Sequence, residues 1–443
     1  MQFNSLSFLF IFLPVFLAVY YLFPIRWRSG ILSLGSFLFY FLACGKKFWP
    51  LILLAGLILL TYSAGRMLER HRSRSLLITV LALMGGSLCF FKCFHGGRWL
   101  AAGYSFYLFQ MSAYLLDVYW ERMKAELNFL NFAAQISMFP KLLSGPIVKP
   151  AELAEQNRTT AVSGEEFHRG LSELIIGLSM KVLLANRLSS LWVQANIMGL
   201  QNLSAPMAWL ALAGFAIRLY FDFYGYSLMA VGLGRMLGYT LPENFLDPYA
   251  SCSVSEFYRR WHVSLGMWFR EYVYIPLGGN RKGMFRTILN LIIVWAFTGF
   301  WHGVGGNYLV WAGILCFLII LEQLFLRRFL EKHRWLGHIY TPFVILLSWV
   351  PFAVTGWQRM GIYFGKLFGG FGPGINPSDW LIFGKQYGIY LLAGAVLMIP
   401  AVNKAVRNLH KHVWGDIILF LLFWLCVMMI ATSAQDPFMY FQY

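Results

Sequence analysis

Apolar residues fall into a dozen long runs separated by short polar or basic stretches, near positions 8–24, 30–45, 48–64, 75–92, 100–119, 171–193, 206–234, 287–301, 308–326, 339–356, 386–402 and 414–432. A helix needs about 20 mostly apolar residues to cross a bilayer, and it does so by satisfying its own backbone polar groups. The pattern therefore predicts an all-α, polytopic integral membrane protein with about ten to twelve spanning helices. The shorter runs are expected to tilt, to pair as half-helices or to lie in the interface. No polar linker divides the chain, so residues 1–443 read as a single membrane-embedded domain.

The first run, Phe8 to Phe23, has no basic stretch before it and no small-residue cleavage site after it, and reads as a retained span rather than a signal peptide. Arg26 and Arg28 follow it directly. The next loop on the same side, Arg66 to Arg74, is the densest basic segment in the first hundred residues, against Lys46 and Lys47 on the other side. By the positive-inside rule the N-terminus is expected on the extracytoplasmic face of the cell inner (cytoplasmic) membrane.

Three segments break the pattern of plain spans. Met138 to Pro150, MFPKLLSGPIVKP, carries three prolines, a glycine and two lysines among apolar neighbours. Such backbone survives at membrane depth only where protein or a water-filled cavity satisfies it, which predicts a re-entrant segment. Asn244 to Lys282 mixes aromatic rings with Arg259, Arg260, Arg270, Arg281 and Lys282 and is too charged to span. Ser253 or Ser255 can cap a helix there, and Pro276 with Gly278 and Gly279 would end it; its basic and aromatic alternation suits an interfacial or cavity-lining helix, with a plain lipid-surface helix as the competing reading. Phe297 to Asn307, FTGFWHGVGGN, places His302 at the end of an apolar run beside Gly299, Gly303, Gly305 and Gly306, which permit close backbone approach.

Composition agrees with the membrane reading: 59% of residues are hydrophobic and 12% charged, against about 25% charged in soluble domains, and mean hydropathy is +0.60. The net charge of +17 is dispersed through the loops. That distribution points to anionic lipid headgroups and away from nucleic acid. Six cysteines show neither CxxC nor other zinc spacing, so no metal site is expected. No GxSxG, HExxH or GxxxxGK[ST] motif is present.

Of nine histidines, His71, His95, His168, His333, His338, His410 and His412 lie in polar or basic stretches. His262 and His302 stand apart, each preceded by Trp in aromatic surroundings, and an ionisable residue at membrane depth is a functional candidate because placing it there is costly. A hydrogen-bonded structural histidine is the bland alternative for either. Two acids, Asp117 and Asp222, lie in apolar-aromatic runs, each readable as a helix-packing partner, an orienting group for a histidine or an ion ligand. Their scarcity weighs against a proton-coupled transporter, which usually gathers several carboxylates near the midplane.

The motifs FYRRWHVSLGMWFREYVYIPLGGNRKG and FTGFWHG, with IRLYFDFYGYSLMAVGLGRMLGY, PENFLDPY and FPKLLSGPIVKP around them, resemble the MBOAT family of membrane-bound O-acyltransferases, in its bacterial alginate O-acetylation branch. The resemblance runs from the opening FNSLSFLFIFLPVFLAVYYLFP through GYSFYLFQMSAYLLDVYW to the closing DPFMYFQY. It implies a ring of spans around a thin core, with a tunnel where a cytoplasmic acyl donor meets an acceptor from the other face. It places the catalytic histidine on His302 and a second important polar position on His262. It implies a thioester cosubstrate, acetyl-CoA or an acyl carrier protein, with no tightly bound cofactor, and an extracytoplasmic glycan or a partner acetyl-transfer protein as acceptor. D-alanyl transfer to teichoic acid is the alternative within the family.

Tyr224 and Leu228 stand where relatives usually have a serine and an acidic residue, and Val304-Gly305-Gly306 replaces an Ala-Asn/Ser-aromatic run. In such an enzyme a neutral imidazole, with a reference pKa of about 6.5, suits the base that takes a hydroxyl proton, the role expected of His302. His262 would orient a substrate, bond the oxyanion or support the tunnel wall. Arg259, Arg260, Arg270 and Lys282 are expected to meet the phosphates of coenzyme A or an acidic carrier, with lipid headgroups as the competing partner.

Overall fold

A computed structural model describes residues 1–94, 100–156 and 162–432; His95 and the closing DPFMYFQY lie outside them. Among the described residues the chain is helical, without a strand. Each of the dozen apolar runs is helical over most of its length, the run 386–402 being shared by two helices. Among the described residues eight helices are long and apolar enough to cross a membrane: Phe48–His71, Arg74–Cys93, Gly164–Met198, Gly283–His302, Gly306–Lys332, Arg334–Ala353, Asp379–Leu397 and Val413–Thr432. Leu22, Phe285, Phe325 and Val413 are exposed on the surface, as a hydrocarbon solvent permits. The protein is a multi-pass, all-α membrane protein.

Helix ends follow local chemistry. The run read as 386–402 begins earlier, at Asp379, because that buried carboxylate accepts hydrogen bonds from the backbone N–H (3.1 Å) and hydroxyl of Ser204. It stops at Leu397, and Pro400, which lacks an N–H to continue a helix, starts the separate helix Pro400–Arg407.

Contacts divide the chain into two compact units: residues 1–178, 226–243 and from 412 onward, and residues 179–225 with 244–411. In the first, Phe3, Phe8, Phe12, Phe16 and Phe39 gather around Phe139. Phe139 opens the non-spanning segment predicted from its prolines, a single turn, Phe139–Leu142, followed by irregular backbone to Lys149. Residues 138–148 are buried, and protein groups supply the partners: the Ser36 hydroxyl accepts from the Phe139 N–H at 3.0 Å, and the fully buried Lys141 ammonium donates to the Gln110 side chain. Gly103, at φ 72°, lets its backbone approach this segment, where a Cβ would sit 2.4 Å from the Leu142 carbonyl oxygen. Asp117 pairs with Arg122 at 3.3 Å.

In the second unit the helices Gly283–His302 and Gly306–Lys332 form a close antiparallel pair around the Gly303-Val304-Gly305 turn. Gly299 permits the approach, since a Cβ there would lie 2.9 Å from the Ala312 Cβ and 3.0 Å from the Tyr308 carbonyl oxygen. Asn307 ties the pair to the end of Arg334–Ala353 by donating to the Pro351 carbonyl at 3.1 Å. Buried on the long helix Ala205–Met236, Asp222 pairs with the equally buried Lys181 at 2.5 Å, the helix-packing role among the three readings open from sequence.

Candidate functional site

Sequence reading expected one helix from about Val254 to Pro276; the structure breaks it at His262. Ser253 caps the first half, Val254–Arg260, its hydroxyl accepting from the Glu256 N–H at 3.0 Å. The second half, Val263–Phe269, starts after His262, whose φ of 48° and ψ of 53° are left-handed. For a residue with a side chain this conformation costs roughly 1–2 kcal/mol and persists only where the surroundings enforce it. Here the segment Asn244–Leu246 enforces it. The Leu246 N–H donates to the Arg260 carbonyl at 3.0 Å, the Val263 N–H to the Asn244 carbonyl at 3.0 Å, and the Ser264 N–H to the Asn244 side-chain oxygen at 3.1 Å. Phe245 and Trp261 form the one isolated bridge among the described residues, and their rings meet edge to face at 5.1 Å.

The bend turns the His262 ring inward. It is buried, edge to face with Phe223 at 4.7 Å and 6.0 Å from the Trp301 ring. His262 lies outside the spanning helices, and its burial pushes the imidazole pKa down to about 3, so it is neutral across the physiological range.

His302 is the last residue of Gly283–His302 and is also buried. Its ring contacts Trp301 (4.4 Å), Trp311 (4.9 Å, edge to face) and Phe352 (5.4 Å). These rings come from three different helices. Trp311 is 2% exposed, and its Nε1–H has no acceptor among the described residues. Thus the two histidines singled out by sequence are brought onto one aromatic cluster, with Trp301 touching both.

The four basic residues read as one set do not gather. Arg260 is held by Glu256 at 2.6 Å, Arg259 is exposed at the edge of a polar cavity, and Arg270 and Lys282 are exposed away from that cavity's lining. No group of three or more His, Cys, Asp or Glu side chains among the described residues is placed to hold a metal.

Sequence reasoning missed Asn244, Trp311, Phe223 and Phe352. Asn244 lies within the quoted PENFLDPY motif, yet nothing local says that its amide will cap a helix across a long loop. Trp311 and Phe352 sit inside apolar spans where any aromatic reads as lipid-facing. Of the departures from the family pattern, the Tyr224 hydroxyl donates to Asn403 at 3.2 Å, and Asn403 donates to Asp247 at 2.7 Å. Val304 is exposed. Gly306 lets Trp357 lie close, within 3.0 Å of where a Cβ would be.

The membrane-bound O-acyltransferase (MBOAT) family profile matches residues 104–356, which include both histidines and their aromatic neighbours. A probable alginate O-acetylase of Pseudomonas putida is 31% identical over the whole of both chains. That of Pseudomonas aeruginosa is 33% identical over 90% of this chain and 81% of its own length. A peptidoglycan O-acetyltransferase of Helicobacter pylori is 30% identical over 70% of this chain and 68% of its own.

Proposed function

The chain belongs to the membrane-bound O-acyltransferase family and is an O-acyltransferase, and from that premise we propose that it moves an acetyl group from a cytoplasmic thioester to a hydroxyl of an extracytoplasmic polysaccharide or cell-wall glycan, through a partner protein. The acetyl group is favoured because the relatives from Pseudomonas and Helicobacter are named for O-acetyl transfer to alginate and to peptidoglycan. The observation that carries the reading is the burial of His302 at the end of a spanning helix, among three aromatic rings and beside a second buried histidine.

In this mechanism the His302 imidazole takes the proton of the acceptor hydroxyl as its oxygen attacks the thioester carbonyl. The tetrahedral intermediate collapses with loss of the thiolate, and the His302 imidazolium returns the proton to it. Bonds and protons balance without a metal or redox partner. A positioned base contributes about 10² to 10⁴ in rate. The surrounding rings exclude water, which strengthens interactions with developing charge and limits hydrolysis of the thioester. The uncommitted Trp311 Nε1–H is a donor for the oxyanion. His262, neutral and held in place by the helix break, orients a substrate group beside Trp301. The exposed Arg259 offers a cation to the donor's phosphates, while Arg270 and Lys282, away from that cavity, offer cationic surface to lipid headgroups.

Purified protein in nanodiscs, given acetyl-labelled acetyl-CoA and a panel of glycans and candidate partner proteins, tests the reading. Label should leave the thioester for one acceptor class. Transfer of D-alanine from a carrier protein in place of acetyl would reassign the donor.

A further inference from the structure

A polar cavity of about 450 Å³ lies between the helix Val254–Arg260 and the end of Gly306–Lys332, with Arg334 at its edge. That volume falls within the range of small-molecule sites, about 300–1,000 Å³. Its charged lining is Arg259, Arg327 and Arg334 against Glu256, Glu322 and Glu331, formally balanced. The carboxylates are nonetheless engaged by other groups, and Arg260, outside the lining, adds a further cation beside Glu256. Glu322 is buried and accepts from the Val254 N–H (2.6 Å), the Ser255 N–H (2.9 Å) and the Ser255 hydroxyl (2.8 Å). Glu256 accepts from the Cys252 N–H (2.9 Å) and from Arg260 (2.6 Å), which is not part of the lining. Glu331 is taken by Arg327 at 3.0 Å.

Two guanidiniums remain. Arg259 and Arg334 have no carboxylate within ion-pair distance among the described residues, and both are exposed on the cavity. A guanidinium offers a planar fork of donors that matches phosphate oxygens, and two of them facing one nucleotide-sized concavity are a two-point site for an anion. The Glu322 carboxylate anchors one wall by capping the backbone of Val254 and Ser255. Arg328 and Lys332 lie on the same stretch of chain, LRRFLEKHR, and extend the positive field without lining the cavity.

We propose that this cavity holds the phosphate-bearing end of the thioester donor, with Arg259 and Arg334 as the phosphate ligands; the proposal rests on the acyl-transfer reading above. The shared chemistry is a phosphate ester joined to a pantetheine thiol, presented either by the nucleotide of coenzyme A or by the phosphopantetheine arm of a carrier protein. It divides the string of basic residues seen in the sequence: Arg259 binds, Arg260 is structural, and the second ligand, Arg334, comes from a different helix.

Equilibrium binding to the purified full-length protein in nanodiscs tests this without turnover. Coenzyme A, a phosphate-free pantetheine thioester, and a carrier protein with and without its phosphopantetheine arm are titrated into wild type, Arg259→Gln, Arg334→Gln and the control Arg359→Gln, an exposed arginine elsewhere. Each Gln variant is expected to weaken coenzyme A binding about tenfold, the loss of one charge-assisted contact, with Arg334→Lys intermediate, Arg359→Gln unchanged, and the phosphate-free thioester bound weakly and equally by all. The same arginine dependence seen only with the armed carrier protein would support the site and name the carrier as its source. Wild-type affinity in both Gln variants, or a wild type that binds neither coenzyme A nor the armed carrier, would overturn the proposal. Arginine-dependent binding with no acyl transfer to any acceptor would instead count against the acyl-transfer reading and leave the phosphate site standing.

Discussion

His262 and His302 pack against one indole: the Trp301 ring centroid lies 6.0 Å from the first imidazole and 4.4 Å from the second. They arrive there by different means. His302 is carried by a regular helix to its last residue, whereas His262 is turned inward by a left-handed residue at a helix break. In the proposed mechanism the break positions His262 and the helix end is the place of proton transfer.

The break depends on Asn244 and on the backbone of His262. Asn244→Ala removes the acceptor of the Ser264 N–H and should cost about 1 kcal/mol, as the loss of a helix cap does. Asn244→Asp, which keeps an oxygen there, should restore most of the loss. At position 262 itself, glycine tolerates the φ of 48° and should fold with impaired activity, whereas valine, stiff and β-branched, should lose folded protein as well. Thermal unfolding in detergent beside acyl transfer separates the two effects; equal stability of the Gly and Val variants would contradict the backbone argument.

Acid should reveal the burial of His262. Its folded pKa of about 3 lies below the ordinary value near 6.5 of the unfolded chain. Above pH about 6.5 neither state binds the proton; between there and about pH 3 only the unfolded state does. Stability from this group is therefore lost as the pH falls through that window, by at most about 1.4 kcal/mol per pH unit. His262→Asn should lose thermal stability less steeply than wild type between pH 6.5 and 4.5. Identical slopes would show that His262 is not held neutral.

Trp311→Phe keeps a ring against His302 and deletes one N–H. If that N–H serves the oxyanion, kcat should fall by about 10² with little change in KM, the typical cost of one such donor. A KM effect alone, or a loss of folded protein, would assign Trp311 to packing.

The Lys181–Asp222 pair is buried on both sides, each side chain about 2% exposed. Removing one member leaves an uncompensated charge, so Lys181→Met should destabilise by roughly 3–5 kcal/mol, while the double replacement Lys181→Met with Asp222→Leu should recover much of that. A double-mutant cycle measures the difference.

What the sequence made legible was whatever depends on composition and period: the helical spans, the interruption at Met138–Pro150 and the exceptional setting of His262 and His302. Apolar runs betray spans because lipid admits little else, and three prolines betray irregular backbone. The break at His262 was hidden, because no proline or glycine stands at or beside position 262; it is made by hydrogen bonds that Asn244 accepts from Val263 and Ser264 and that Leu246 donates to Arg260, from a distant loop. The grouping of the basic residues was hidden too. Sequence adjacency suggested that Arg259 and Arg260 act together, yet successive helical residues point in different directions, and only one of them reaches the cavity. Trp311, on an apolar helix, became visible only through its distance to His302.

The most direct test of the account is acyl transfer by wild type and His302→Ala, purified in parallel and shown by size exclusion and thermal unfolding to be equally folded, with labelled acetyl-CoA and the acceptor panel. Label is expected on one acceptor class with wild type, and a loss of at least about 10² in rate with His302→Ala. Transfer at the wild-type rate by the folded variant would remove His302 from the chemistry and, with it, the proposed mechanism.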